Sequence, residues 1–126
     1  MPMPELGGSC EGSMLSLPDQ NLLLTASPWG IGPSWDTRCP GPGRCNMTVW
    51  ASRDSGLSWS VTHQLNESVG FNPREGAAYS AMATVNSSHF ALVYERGNYG
   101  HLTLVYLPLP KASPTQAGAR RLASSA

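Results

Sequence analysis

The sequence predicts an all-β fold built from antiparallel meanders. Its apolar runs are short, and turn-forming residues separate them, with 13 glycines and 11 prolines among 126 residues. The length corresponds to one domain at most. No apolar run is long enough to span a bilayer. A formal net charge of zero gives no indication of nucleic acid or an anionic membrane as a partner.

Seven strands are predicted, and they fall into two groups. The strands cover residues 13–17, 22–26, 46–52, 59–65, 79–85, 90–95 and 102–107. The first four form one meander of the size of a propeller blade, and the last three form a second, shorter group. Loops rich in glycine and proline cover residues 27–44 and 66–78. We expect a β-rich unit over residues 1–109 and a disordered tail over residues 110–126, where proline, alanine, serine and arginine dominate.

The turn between the third and fourth strands carries the pattern Ser-x-Asp-x-Gly-x-Ser-Trp. Asp54 can fold its carboxylate back onto backbone N–H groups of the turn, and Gly56 can take the positive φ that such a turn needs. Trp59 supplies a large apolar anchor for the next strand. The pattern resembles the Asp-box, a hairpin turn of sialidase propeller blades that many non-enzymes also carry. Its structural residues are Ser52, Asp54, Gly56, Ser58 and Trp59, and Arg53 within it is expected to be solvated.

Strand directions predict which residues share an end of the fold. We name the end that holds the Asp54 turn the lower end. Following each strand from there predicts that Glu11, Arg44, Tyr79 and Glu95 gather at the upper end, with the long loops. Arg44 and Asp54 are ten positions apart, which is roughly 30 Å along an extended strand. The Asp54 turn therefore lies outside any site at the upper end.

Glu95 ends the predicted strand 90–95, in which both faces are otherwise apolar. Alternation places Phe90, Leu92 and Tyr94 on one face and Ala91, Val93 and Glu95 on the other, so the strand is expected to be buried on both sides. A buried acid needs a cationic partner or strong donors. The alternative, which the residues alone favour, is that Glu95 lies just past the strand in water.

Four segments in sequence order resemble the C-terminal part of an animal-type exo-α-sialidase (neuraminidase). Residues 8–13, Gly-Ser-Cys-Glu-Gly-Ser, with the strand at 22–28 resemble the family's Gly-Cys-Gln-Gly-Ser segment and its apolar strand ending in proline. Residues 44–49, Arg-Cys-Asn-Met-Thr-Val, resemble its Arg-Val-Asn-Leu-Thr-Leu, with the Asp-box following. Residues 78–82, Ala-Tyr-Ser-Ala-Met, and 93–97, Val-Tyr-Glu-Arg-Gly, resemble its Tyr-Ser and Leu-Tyr-Glu-x-Gly motifs.

The resemblance implies about two blades of a six-bladed propeller and a set of site residues. Arg44 matches the third arginine that binds the sialic acid carboxylate, Tyr79 the catalytic tyrosine, and Glu95 the glutamate that orients the first arginine. A neutral phenol suits an anomeric carbon that carries a carboxylate, and sialidases are known for a tyrosine nucleophile. A phenol at its free pKa is a weak nucleophile, so a neighbouring base must activate it. Alternatively, Arg44 is an exposed loop residue and Tyr79 a packed strand tyrosine.

The chain departs from the family pattern at several points. Glu11, a residue of the predicted site rim, replaces a usual glutamine, and Ala81 stands where an acid or serine is usual. The first two arginines, the acid/base aspartate and the tyrosine's glutamate partner have no counterparts and would precede Gly8. The resemblance therefore implies a fragment of a longer enzyme, whose second blade has only three strands, exposed edges and an unclosed core.

Three sequons, at Asn46, Asn66 and Asn86, are candidate N-glycosylation sites. The Asn46 sequon follows the predicted third arginine, as in lysosomal sialidases, and favours a lysosomal or secretory parent enzyme over a cytoplasmic or membrane-associated one. The odd cysteine count leaves the pairing open, with a Cys39–Cys45 bridge as one option. We predict neither a metal nor a cofactor. The three histidines lack any ligand pattern and are expected at the surface or in turns: His63, His89 and His101.

Two functions remain open from the sequence. The first is a hydrolase fragment whose parent removes terminal sialic acids from glycoproteins or glycolipids, in ganglioside or oligosaccharide catabolism. Its partners would be sialylated glycans and the missing N-terminal propeller blades. The second is a non-catalytic, sialidase-like propeller piece or a glycan-binding module. The motif residues favour descent from a working enzyme, whereas the missing residues predict that the chain alone is inert.

Overall fold

The structure is a computed structural model that describes residues 12–29, 44–65, 76–97 and 99–112. Glu11, Asn66, most of both long loops and residues 113–126 lie outside the described residues. The fold is all-β, with two antiparallel sheets of four and three strands, as predicted. The strands are β1 (Ser13–Leu17), β2 (Leu22–Pro28), β3 (Met47–Ser52), β4 (Ser60–Gln64), β5 (Ala77–Thr84), β6 (His89–Arg96) and β7 (His101–Pro108).

The first sheet is the predicted meander, in the order β1-β2-β3-β4. Strand β2 continues two residues beyond its predicted end, since Ser27 pairs with Thr48 and Pro28 with Met47. The sequence does not predict this extension, because serine and proline are typical turn residues.

Alternation along β2 and β3 separates two different faces of the first sheet. One face is apolar and includes Leu24 and Ala26 of β2 beside Val49 of β3. The opposite face places Thr25 beside the fully buried Trp50, whose ring lies 5.5 Å from the ring of Trp29 in a T-shaped arrangement. All six residues of β3 are buried, so this strand lies at the centre of the described fold.

The second sheet has the predicted three strands, in the order β5-β6-β7. Strand β5 begins two residues earlier than predicted, because the Ala77 N–H donates to the Arg44 carbonyl over 2.9 Å and Ala77 pairs with Arg96. The register of β5 shifts between Ala77 and Ser80, a β-bulge beside Tyr79. Bulges of this kind change the direction in which a side chain points.

The apolar face of the first sheet and one face of the second form a common core. Phe90, Leu92 and Tyr94 are fully buried in this core, as the alternation predicted. At its edge the Ser13 and Ser80 hydroxyl oxygens, on β1 and β5, are hydrogen-bonded over 2.8 Å. The first strand of the second sheet therefore packs beside the first strand of the first sheet.

The prediction that β6 is buried on both sides was wrong, because its second face is half-exposed. That face continues onto β7, where Leu102, Leu104 and Tyr106 are 76%, 55% and 64% exposed. We call it the open face and define it by Ala81, Ala91, Val93, Leu102, Leu104 and Tyr106. A row of large apolar side chains on an edge strand is unusual for an exposed surface.

Among the described residues, the structure has no helix with the length and hydropathy required to cross a membrane.

Candidate functional site

The turn after β3 has the geometry that its sequence predicts. The Asp54 carboxylate accepts the Ser58 N–H over 2.8 Å and also the Ser58 hydroxyl. The Ser52 hydroxyl donates to Asp54 and accepts the Gly56 N–H, each over 2.8 Å. Gly56 has a φ of 89°, and the buried Trp59 donates its indole N–H to the Gly56 carbonyl over 3.0 Å. The motif is therefore a closed network in which each polar residue satisfies part of the turn.

Arg53 does not have the solvated position predicted for it. It is half-buried, and its guanidinium donates to the carbonyls of Gln20 and Pro110. Its own carbonyl accepts the Asn21 side-chain amide over 2.9 Å. Arg53 thus joins the lower ends of β2 and β3 to the first residue of the predicted tail. No local pattern indicates this role, because the carbonyls that Arg53 binds are remote along the chain.

Asp54 gives a testable pH dependence. The Ser58 hydroxyl and N–H, together with the Ser52 hydroxyl, lower the pKa of the Asp54 carboxyl from 3.8 to about 2. Because the folded pKa is depressed, the charged carboxylate stabilises the fold above the unfolded pKa, and this contribution disappears as the pH falls through the folded pKa. Asp54→Asn should therefore lower the urea midpoint at neutral pH, and the difference from wild type should shrink between about pH 4 and about pH 2.

Tryptophan fluorescence measures this effect, since Trp59 belongs to the turn. Ser58→Ala serves as the matched variant, because it removes the hydroxyl bond and should move the pH window upward while leaving the carboxylate in place. A stability difference between wild type and Asp54→Asn that is independent of pH would contradict this account.

Within the described ranges, chain segments group at two ends as the strand directions predict, whereas Glu11, also predicted at the upper end, lies outside these ranges. At the lower end, the Gln20 side chain donates to the Ser87 carbonyl over 3.1 Å. At the upper end, the backbone of Cys45 bridges to Gly76, and the Gly97 N–H donates to the Gly76 carbonyl over 2.8 Å. Arg44, the start of β5 and the end of β6 therefore meet at one end of the two sheets. Strand β3 separates this end from Asp54.

Tyr79 and Glu95 lie together at the upper end. The Tyr79 N–H donates to the Glu95 carboxylate over 3.3 Å. The Tyr79 side chain is 46% exposed and Glu95 is half-buried. The bulge in β5 leaves this N–H outside the regular ladder, so it is available to a side chain. Glu95 matches neither expectation completely. It lies within β6 rather than beyond the strand, but on the face of β6 that is only partly covered.

Arg44 reaches a residue that the sequence did not identify. Its guanidinium donates to the Tyr99 hydroxyl over 2.5 Å. Tyr99 lies in the turn between β6 and β7, has a φ of 65° and is 57% exposed. A positive φ at a tyrosine is uncommon, and no pattern in the sequence indicates it. Among the described residues, the upper end therefore brings together Arg44, Tyr79, Glu95 and Tyr99 from four separate segments.

A cleft of about 630 Å³ lies at the lower end, away from these residues. Its lining includes Asp19, Gln20, Arg53, Ser88, His89 and Lys111. The cleft lies where the predicted tail begins, and the Leu109 N–H donates to the Ser88 carbonyl over 2.8 Å nearby. The chain thus continues to make specific contacts up to Pro110, although the domain boundary at residue 109 remains a prediction.

The other predicted positions differ in their surroundings. Asn86 is exposed, and its side-chain oxygen accepts the N–H groups of Ser88 and His89, each over 2.9 Å. Asn46 is half-buried with a φ of 58°, and its side-chain oxygen has no hydrogen-bond partner among the described residues.

Cys45 is disulfide-bonded, and both other cysteines lie outside the described residues. Within the described ranges, no group of three or more histidine, cysteine or acidic side chains could hold a metal.

The histidines are only partly as predicted. His89 and His101 are exposed. His63 is half-buried instead, with its ring 5.9 Å from Phe90 and its Nε2 atom 3.0 Å from the Pro108 carbonyl oxygen.

Comparisons of the chain with known protein families, with curated protein sequences and with solved structures found no match. The sialidase resemblance therefore rests on the motif residues themselves.

Proposed function

We propose that this chain is the C-terminal part of an exo-α-sialidase that hydrolyses terminal α-linked sialic acids on glycoproteins or glycolipids. The observation that supports this most strongly is the meeting of Arg44, Tyr79 and Glu95 at one end of two adjacent sheets. These residues come from three segments that are far apart in sequence. A substrate site requires its residues to lie at the same end of the fold, whereas three unrelated surface residues would not be expected to lie together.

The finer fold that we propose is two neighbouring blades of a six-bladed propeller. Packing of β5 beside β1, with a shared apolar core, supports this arrangement, since the first strands of successive blades lie next to each other around a propeller. The closed network around Asp54 supports it as well. The open face would then lie toward the blades that this chain does not contain.

In the proposed reaction Arg44 binds the substrate carboxylate by charge-assisted hydrogen bonds. Its contact with the Tyr99 hydroxyl fixes the direction of the guanidinium before substrate arrives, so less side-chain entropy is lost on binding. The Tyr79 oxygen bonds to the anomeric carbon as the glycosidic bond breaks; the phenolic proton passes to the activating base, and the acid/base aspartate protonates the leaving oxygen. Water then displaces the tyrosine from the covalent intermediate, which releases sialic acid with overall retention and restores the phenol. Glu95 fixes the backbone at Tyr79 through its bond to the N–H.

We place the residues that complete the site before Gly8. They comprise two further carboxylate-binding arginines, an acid/base aspartate and the base that activates Tyr79. We assign the parent enzyme to the lysosome or secretory pathway. The disulfide at Cys45 and the exposed Asn86 sequon support this compartment.

The test compares the chain alone with the same chain extended upstream in its own reading frame, using a fluorogenic sialoside. We expect no turnover by the chain alone, because it lacks the base and the acid. We expect turnover by the extended protein. Robust turnover by the isolated chain would contradict the assignment of the missing groups. Sialoside binding without turnover by the extended protein would instead support a glycan-binding module.

A further inference from the structure

We propose that the open face of the second sheet is a self-association surface, on which two copies of this chain pack face to face. The proposal concerns this chain by itself, because in the proposed propeller the same face would lie toward a further blade. Three side chains of the edge strand β7 have more than half of their surfaces exposed: Leu102, Leu104 and Tyr106. Burial of such side chains is favourable at about 25 cal/mol per Å², so a matching apolar surface would bind there.

The charges on this face indicate which surface matches. Strand β6 carries His89 at the lower end of the face and Glu95 at the upper end, with Ala91 and Val93 between them. All four residues lie on the same side of the strand because their spacing is two. Six residues of extended strand place the imidazole and the carboxylate roughly 20 Å apart. The face therefore has an imidazole, which can donate a hydrogen bond, at one end, a carboxyl group at the other and an apolar centre.

Two copies can use this pattern in only one of the two simple face-to-face arrangements. If the strands of the two copies run in parallel, both Glu95 carboxylates meet at the same end and repel each other. If a twofold axis reverses the strands, Glu95 of each copy lies against His89 of the other, and two favourable pairs form. Such an interface is isologous, as in most homodimers.

The strand register then defines the apolar contacts. Across β6 and β7, Leu104 pairs with Val93 and Tyr106 pairs with Ala91. These two pairs lie one position on either side of Leu92, whose level marks the centre of the face between His89 and Glu95. Reversal about that centre places Leu104 of one copy against Tyr106 of the second. It likewise places Leu102, which pairs with Glu95, against Pro108, which pairs with His89. Every large exposed apolar side chain of β7 thus meets an apolar partner.

The size of the face sets the strength of the dimer. Three strands and seven residues span roughly 15 Å by 20 Å, or about 300 Å² per copy. A stable interface buries about 800 Å² per partner. A contact below the standard size is weak or transient, so the dimer should form only as the protein concentration rises.

Sedimentation velocity over a concentration series, from about 10 µM to about 500 µM, tests the proposal. The wild-type chain should shift from monomer toward dimer across the series. Leu104→Asp should remain monomeric, because it places a carboxylate against Tyr106 of the second copy at two symmetric positions. Leu57→Asp is the matched control, since Leu57 is 84% exposed in the Asp54 turn of the other sheet and should associate as wild type does.

A second pair of variants tests the orientation. His89→Glu should weaken association by about tenfold or more, since it places two carboxylates together twice in each dimer. His89→Lys should retain or strengthen association. Circular dichroism must show the same strand content for every variant. A wild-type chain that stays monomeric throughout, or equal association of Leu104→Asp and Leu57→Asp, would overturn the proposal, and so would equal effects of the two His89 variants.

Discussion

Tyr79→Phe in the upstream-extended protein is expected to lower kcat for a fluorogenic sialoside by on the order of 10³-fold or more. The substitution removes only the phenolic oxygen, which in the proposed reaction forms the bond to the anomeric carbon. The KM should change little, because Arg44 and the other arginines would still bind the carboxylate. The fold should also be retained, since the Tyr79 side chain is 46% exposed and its hydrogen bond to Glu95 uses the backbone N–H.

Tyr106→Phe is the matched control for this experiment. It removes the same atom from an exposed strand tyrosine on β7 that takes no part in the proposed site. It should leave kcat within about twofold of wild type, since surface substitutions away from special features have small effects. A Tyr79→Phe protein with unchanged kcat would remove Tyr79 from the mechanism and with it the sialidase assignment.

The fold was largely accessible from the sequence, because strands and tight turns are local features. Alternation in β6 gave the correct buried face, and the residues around Asp54 gave the correct turn. Counting strand directions then grouped Arg44, Tyr79 and Glu95 at one end, because an antiparallel meander reverses at each turn. The strand ends were less accessible, as Pro28 and Ala77 show, since pairing with a remote segment decides where a strand stops.

The contacts that the sequence did not reveal all join residues that are distant along the chain. Arg53 binds Pro110, His63 packs on Phe90, and Arg44 binds Tyr99. Each depends on the relative position of two elements rather than on a local pattern. The half-exposure of Val93 has a similar origin: its apolar surroundings predict burial, but burial requires a neighbouring layer as well. Sequence patterns therefore identify faces, whereas only the packing of the sheets determines which face is covered.

Leu92→Ala is expected to destabilise the fold by about 2–5 kcal/mol, the usual cost of truncating a buried leucine. Leu92 is fully buried in the core that both sheets share. A small domain has about 5–15 kcal/mol of stability in total, so this loss should lower the urea midpoint substantially. All four tryptophans precede the second sheet, at Trp29, Trp35, Trp50 and Trp59. Of the described ones, Trp50 lies in β3, Trp29 packs against it and Trp59 belongs to the Asp54 turn. The fluorescence therefore includes a signal from the first sheet, while the substitution lies in the second.

If the two sheets unfold as one cooperative unit, the tryptophan transition of Leu92→Ala should move to lower urea together with the circular dichroism transition. Leu104→Ala is the matched control, because it makes the same substitution on the open face of the same sheet. It should cost well below about 1 kcal/mol, since a half-exposed side chain leaves no buried cavity. An unchanged tryptophan transition in Leu92→Ala would mean that the sheets are stable independently. Equal losses of unfolding free energy in the two variants would mean that the open face is covered in solution, as it would be in a dimer. A measurement at lower protein concentration should then restore the difference in stability between Leu92→Ala and Leu104→Ala.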